Sequence, residues 1–327
     1  FLLRIFLLFL CSFVILEIFI RVVDENCYSF FPVYIENEVE TLPKNKNFCA
    51  KYTGHPKAFY STDDYGLRVK NNKIKNQNTY LLIGDSQAMG YGINFDDHFL
   101  HKYLSLNKNA HLEILASPTF KLQSLHNFKK VNDDFNFQKY EKIFFFLNIW
   151  VDIDRFVLSW DENWRIKNKK FDIEISKYFR SYEYIKKILK FSKKRKGQPY
   201  NLYFNFLTDD EIEYLIYSIV DQYKLFIDTN SIKQYEFIIL PPAWYFDKNQ
   251  LKKFNYGFKN EEFLNLFNDY DYYYNKMKNN LEILSKKFKK DGIDYILIDQ
   301  LDNPETSFLK TDYHLNENGH DEVFKKF

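Results

Sequence analysis

Apolar and polar residues follow one another along this chain in two distinct rhythms. Short, nearly continuous apolar runs occur at residues 80–83, 111–116, 143–147, 237–240 and 295–298, and several stop at a turn former: Gly84, Pro241-Pro242 or Asp299. Runs of that length and density are the pattern of strands buried on both faces, as in a parallel sheet. Between them the period becomes helical. Residues 121–131 follow the second run and 209–225 precede the fourth. Residues 265–290 carry Met277, Leu281, Leu284 and Phe288 at helical spacing. Strands alternating with helices predict an α/β fold on a mostly parallel, five-stranded sheet.

Two segments stand outside this alternation. Residues 1–20 read FLLRIFLLFLCSFVILEIFI. Their uninterrupted apolar part, 5–16, is short for a bilayer at about 1.5 Å per residue. The chain begins at Phe1 and stops at Phe327 within a helical pattern, so further residues are expected at both ends. With residues upstream, 1–22 are expected to form a transmembrane anchor, and Arg4 places its N-terminal side in the cytoplasm. A cleaved signal peptide and a buried core helix are the alternatives. Residues 23–78, irregular and holding Pro32, Pro43 and Pro56, read as a stalk or wrapping segment before a main domain over 79–327. Residues 155–235 exceed a simple crossover and read as a largely helical insertion. It includes a basic run, 186–196, near Tyr182, Tyr184 and Phe191. The run suits a solvated helix face or an acidic lipid surface; nucleic acid is not an expected partner.

Composition changes this picture little. A hydrophobic share of 46% supplies a core, and the aromatic share of 20%, beside abundant Lys, Asn and Ile, reflects AT-rich coding. A net charge of +2 calls for no polyanionic partner. Of the cysteines, Cys11 lies in the first apolar segment. Cys27 and Cys49 are expected to pair if the domain is exported and to be thiols if it is not.

The candidate chemistry sits at two places. Gly84-Asp85-Ser86 follows the first strand and precedes an expected helix start. That puts the Ser86 hydroxyl past a strand's carboxyl end, where open α/β sheets bind ligands, near backbone N–H groups that favour an anion. An ordinary strand-to-helix turn capped by Ser86 or Asp85 is the alternative. Near the C-terminus, Asp312-Tyr313-His314-Leu315-Asn316 and Gly319-His320 place an imidazole and a carboxylate on one loop, as a serine nucleophile needs. A helix capped by Asn316 or Asp312 beside a surface histidine is the alternative there. His55, His98, His101, His111, His126 and His320 read as surface or structural groups, with no metal set among them. Trp244 and Tyr245, after the fourth strand, read as core or as the lining of a cleft.

Taken together, Gly84-Asp85-Ser86 and the Asp312–Gly319–His320 stretch resemble the first and last blocks of the SGNH (GDSL-like) hydrolases and acyltransferases. Asp64-Tyr65-Gly66-Leu67-Arg68 resembles a segment preceding the nucleophile strand in many exported bacterial members. The resemblance implies a flavodoxin-like three-layer α/β/α fold, Ser86 as nucleophile, His314 as general base, Asp312 as its orienting acid, and no cofactor or metal. It implies oxyanion donors at the Ser86 amide, Thr119 and Asn148, although the family's glycine and asparagine blocks are replaced here by residues 116–120 and 148–152. The expected activity is that of an extracytoplasmic, membrane-held serine esterase or O-acyltransferase acting on acyl esters, acetyl foremost, of a surface glycan or lipid-linked saccharide. The alternatives are a non-catalytic module of the same fold that binds glycan or an envelope partner, and a lipid-surface binder using 186–196.

Overall fold

A computed structural model describes residues 2–23, 27–28, 32–36, 39–51, 56–70, 78–117, 122–148, 207–250, 269–310 and 313–327. The chain opens with helix α1 (Leu2–Val23) and two small antiparallel hairpins. These are β1 (Tyr34–Glu36) with β2 (Val39–Thr41), and β3 (Asn47–Ala50) with β4 (Ala58–Ser61). A short strand β5 (Arg68–Val69) leads to β6 (Asn78–Gly84), α2 (Phe99–Ser105), β7 (Ala110–Ala116), α3 (Leu122–Val131) and β8 (Lys142–Leu147). Then come α4 (Asp209–Thr229), β9 (Tyr235–Ile239), the single turn α5 (Ala243–Phe246), α6 (Tyr270–Asp291), β10 (Tyr295–Leu297) and α7 (Glu317–Phe324).

The main sheet runs β10-β9-β8-β6-β7-β5, parallel throughout except for antiparallel β5 at the edge. Taking the parallel strands in chain order gives 2-1-3-4-5, the flavodoxin-like order. The sheet reverses direction of growth between β6 and β8, and the Ser86 turn leaves β6 at that switch point. Alternation along β6 sends Leu81 and Ile83 to one face, where α3, α4 and α6 contribute Leu125, Phe128, Ile216, Phe226, Leu284 and Phe288. Leu82 points to the other face and packs with Phe99, Leu100 and Leu104 of α2 and Val323 of α7. The result is a three-layer α/β/α sandwich.

Local signals explain the helix bounds. Thr208 and Glu211 form a reciprocal capping box at the start of α4, and Gly292, with φ +66°, takes the left-handed position that ends α6. Pro241-Pro242 stops β9 because neither residue has an N–H for a ladder.

Two expectations need correction. The sheet has six strands rather than five. The sixth, β5, is too short to show alternation, and its residues lie in the segment read as a stalk. Its pairing of Arg68 with Ile114 and Val69 with Glu113 joins that segment to the main sheet. The second correction concerns α1. A helix forms where the anchor was expected, yet among the described residues no helix is long and apolar enough to cross a membrane. Arg4, Glu17 and Arg21 interrupt it. The charge-free stretch 5–16 spans about 18 Å, against about 30 Å of bilayer hydrocarbon.

Cys27 and Cys49 form a disulfide that ties the segment after α1 to β3. Much of the reading for residues 155–235, including the basic run 186–196, lies outside the described residues; its last part contains α4, which packs on the sheet.

Candidate active site

Ser86 is the second residue after β6. Gly84, which ends that strand, has no room for a side chain: an added Cβ would stand 2.6 Å from the Ala88 Cβ and 2.8 Å from the Phe146 Cβ. The close approach lets the chain fold back over the sheet end. The expected helix start at Ser86 does not occur. Instead a single turn closes, with Met89 N–H donating to Asp85 O at 2.9 Å and Tyr91 N–H to Ser86 O at 3.2 Å. Gly90 and Gly92 then take φ of +70° and +80°, which no helix continues through. The Asp85 carboxylate accepts from Gln87 N–H at 2.8 Å and caps the turn. No helix dipole therefore serves Ser86.

Groups outside the turn satisfy its remaining carbonyls. His98 Nε2 meets Ala88 O at 2.8 Å. The Arg68 guanidinium donates to Met89 O at 2.6 Å, Gly90 O at 3.0 Å and Ile93 O at 2.8 Å. It lies over the Tyr60 ring at 4.3 Å, and the Tyr60 hydroxyl accepts from Gly92 N–H at 2.9 Å. This is the structural use of the arginine in the 64–68 segment: it is fully buried and holds the far side of the Ser86 turn.

His314 arrives from the C-terminal loop. Its Nε2 lies 2.7 Å from Ser86 Oγ, and both side chains are buried. With Nδ1 carrying the proton, Nε2 accepts from the serine hydroxyl. The rest of the C-terminal stretch builds the loop. Asn316 caps α7 by accepting from Gly319 N–H at 3.0 Å, and its amide donates to Thr306 O and Phe308 O. Gly319 packs so closely on the Ser307 carbonyl that any Cβ would collide with it. His320 is buried and accepts from Phe99 N–H at 3.1 Å through Nδ1, so it is a structural group. Burial first, then the nearness of the His98 ring and the Arg68 charge, push its pKa well down.

Of the other expected site residues, Asn148 immediately follows β8. Ile83 pairs with Phe145 in the ladder, so Ser86 and Asn148, each three residues further on, leave adjacent strand ends level with one another. Asn148 is 3% exposed and its Oδ1 has no partner. The Ser86 N–H donates to no described group. Asp312 and Thr119 lie outside the described residues. No group of three or more His, Cys, Asp or Glu that could hold a metal occurs among the described residues. Trp244 is buried in the core and Tyr245 stacks on Tyr274 at 5.0 Å.

Sequence reasoning missed several neighbours. Tyr91 and Tyr313 both stack on the His314 ring, at 4.5 and 4.7 Å between centroids. Ser117, one residue past β7, is fully buried with an unpartnered hydroxyl. Gln87 bonds to the His314 loop.

No protein-family model and no curated protein matches the sequence. Among solved structures, the chain is similar to a putative lipolytic protein of the G-D-S-L family from Desulfitobacterium hafniense, with 11% identity over 77% of this chain and 100% of that one, at a TM-score of 0.39. It is also similar to a lipase/acylhydrolase from Enterococcus faecalis, with 10% identity over 76% and 93% of the two chains and a TM-score of 0.39. A third is an acetylxylan esterase from Geobacillus stearothermophilus, with 11% identity over 78% and 94% and a TM-score of 0.35. At such low identity and TM-score, the chemistry of the site has to be read from its own residues.

Proposed function

We propose that this protein is a serine-dependent carboxylic ester hydrolase or O-acyltransferase of the SGNH type. The observation that carries the reading is the 2.7 Å approach of His314 Nε2 to Ser86 Oγ at a sheet switch point, between residues 228 positions apart in sequence. A serine hydroxyl becomes an effective nucleophile when a neutral imidazole stands ready for its proton. Ser86 Oγ attacks the ester carbonyl carbon as Nε2 takes the proton, and the carbonyl oxygen becomes an oxyanion. In this reading the Ser86 N–H and the Asn148 amide would receive it, a role supported by the adjacent, level strand ends from which Ser86 and Asn148 leave. His314 returns the proton to the departing alcohol oxygen and leaves an acyl-Ser86 ester. A water or a sugar hydroxyl, deprotonated by the same imidazole, then attacks that ester; the bond between the acyl carbon and Ser86 Oγ breaks, and His314 returns the proton to Oγ. Asp312, two residues before His314, is the carboxylate that would orient the ring. No metal or organic cofactor has a part in this sequence.

The Cys27–Cys49 disulfide supports placement of the domain in an oxidising, extracytoplasmic compartment. Acyl esters of saccharides are one ester class of such a compartment, and acetyl esters of a surface glycan are the substrate we favour.

The test is covalent labelling by a fluorophosphonate probe of wild type, Ser86→Ala and His314→Ala, followed by release of acetate from acetylated glycans. Labelling that needs both residues is the expected result. A well-folded wild type that resists the probe would refute the catalytic reading and favour a binding module of the same fold.

A further inference from the structure

We propose that Gln87 is a positioning residue whose side-chain amide holds the peptide backbone on both sides of His314 and so seats the imidazole on Ser86. The inference rests on the catalytic reading of Ser86 and His314 and adds a third residue to that site.

Gln87 is 3% exposed, and its side chain crosses from the nucleophile turn to the C-terminal loop. Its Nε2 donates to Tyr313 O at 3.0 Å, and its Oε1 accepts from Leu315 N–H, also at 3.0 Å. Those two backbone groups belong to the peptide units immediately before and after His314. One primary amide thus straddles the His314 Cα in the manner of a strand partner. Its own end is fixed too, because Gln87 N–H donates to the Asp85 carboxylate. Ser86 therefore lies between two residues that are bonded to each other, and the next residue grips the loop that carries its base.

Only a side chain with a donor and an acceptor at amide spacing can make both bonds. Leucine or methionine fills the volume and makes neither. Asparagine is one methylene too short. Glutamate, as the carboxylate, accepts from Leu315 N–H but faces the Tyr313 carbonyl with a second acceptor.

Other backbone bonds of the loop among the described residues come from its own side. Leu309 N–H donates to His314 O at 2.9 Å, and Asn316 N–H to Ser307 O at 3.0 Å, but both come from the loop's own stem and not from the Ser86 side. Tyr91, two residues beyond Met89 on the nucleophile turn, adds a ring stacked on the imidazole. Stacking fixes the ring plane and leaves sliding within that plane open. The Gln87 pair ties the His314 backbone to the turn that carries Ser86 and so bears on the distance between them. A misplacement on the order of 1 Å in a reacting pair costs about a hundredfold in rate.

The experiment compares wild type with Gln87→Met and Gln87→Glu, using the fluorophosphonate labelling rate, kcat and KM for 4-nitrophenyl acetate, and imidazole signals in protein carrying 15N-histidine. We expect Gln87→Met to label and turn over about thirty- to a hundredfold more slowly, with KM within about twofold and the fold retained. Its His314 ring signals should shift or broaden away from those of wild type. Gln87→Glu, which keeps one bond, should fall between the two, and it serves if the methionine variant does not fold. Labelling within about twofold of wild type, with unchanged His314 signals, would overturn the inference and leave Gln87 as a stability contact only. If wild type itself resists the probe, the catalytic reading fails. The His314 signals then decide the positioning role alone.

Discussion

Acid should loosen this protein through a buried histidine outside the Ser86–His314 pair. His98 is fully buried and uses both ring nitrogens as a neutral imidazole. Its Nδ1 accepts from Leu100 N–H at 3.2 Å at the head of α2, and Nε2 meets Ala88 O two residues past Ser86. Burial first, and then the Arg68 charge, hold its pKa down at about 3, against 6.5 for the free side chain; the Ala88 carbonyl opposes them, and His101 and Lys102 add smaller pushes downward. In the unfolded chain the ring takes a proton near pH 6.5, while in the folded protein it does not. The contribution to stability is therefore complete above pH 6.5 and is lost as pH falls from 6.5 toward 3. The unfolded state binds about one more proton across that window, a slope of about 1.4 kcal/mol per pH unit, so about 2 kcal/mol is gone at pH 5. The whole span corresponds to about 5 kcal/mol. Urea unfolding of wild type and His98→Gln at pH 7 and pH 5 isolates the term, because the carboxylates titrate in both proteins. Wild type should lose about 2 kcal/mol more than the variant between the two pH values. Equal losses would refute the assignment of a buried neutral imidazole to His98.

Two further outcomes follow from contacts already described. Arg68→Met strips donors from the Met89, Gly90 and Ile93 carbonyls while relieving a buried charge. Each unsatisfied carbonyl costs about 1–3 kcal/mol. A net loss of about 3–5 kcal/mol, read as a lower denaturant midpoint, should come with loss of Ser86 labelling; an unchanged midpoint would show that the guanidinium is dispensable. Replacing Cys27 and Cys49 by serine opens a link between residues 22 apart, and should lower stability by about 3 kcal/mol. Thermal unfolding with and without reductant should show the same drop in wild type.

The parallel strands are legible in the sequence because burial on both faces demands short apolar runs, and β6, β7, β8, β9 and β10 each match one within a residue or two. Ser86 and His314 are legible because each stands in a dense local motif. The edge strand β5 is not, since a pair of residues carries no periodicity. The turn after Ser86 is misread as a helix because Gly90 and Gly92 can sit in several conformations, and only tertiary contacts select the positive φ values. The bonds made by Gln87 and Arg68 are invisible for the same reason, although the 64–68 segment itself stands out by its resemblance. Their partners lie far away in sequence, and no local spacing announces a bond from Gln87 to Tyr313 or from Arg68 to Ile93.

Those distant partners explain why the Ser86 turn can do without a helix behind it. A helix would satisfy the turn's carbonyls from within, at the cost of pointing Ser86 along a regular spiral. Here the carbonyls of Asp85, Ser86 and Gln87 are met by N–H groups of the turn itself. Those of Ala88, Met89, Gly90 and Ile93 are met by the side chains of His98 and Arg68. Every buried carbonyl in that group has a donor, as low-dielectric surroundings require. The turn is thereby gripped at its far side by the edge strand and at its exit by the head of α2. At its entry Gln87 ties it to the loop bearing His314. Geometry at Ser86 is set by three elements of the fold at once, so a change at any of these grips should reach the 2.7 Å contact with His314 without touching either residue.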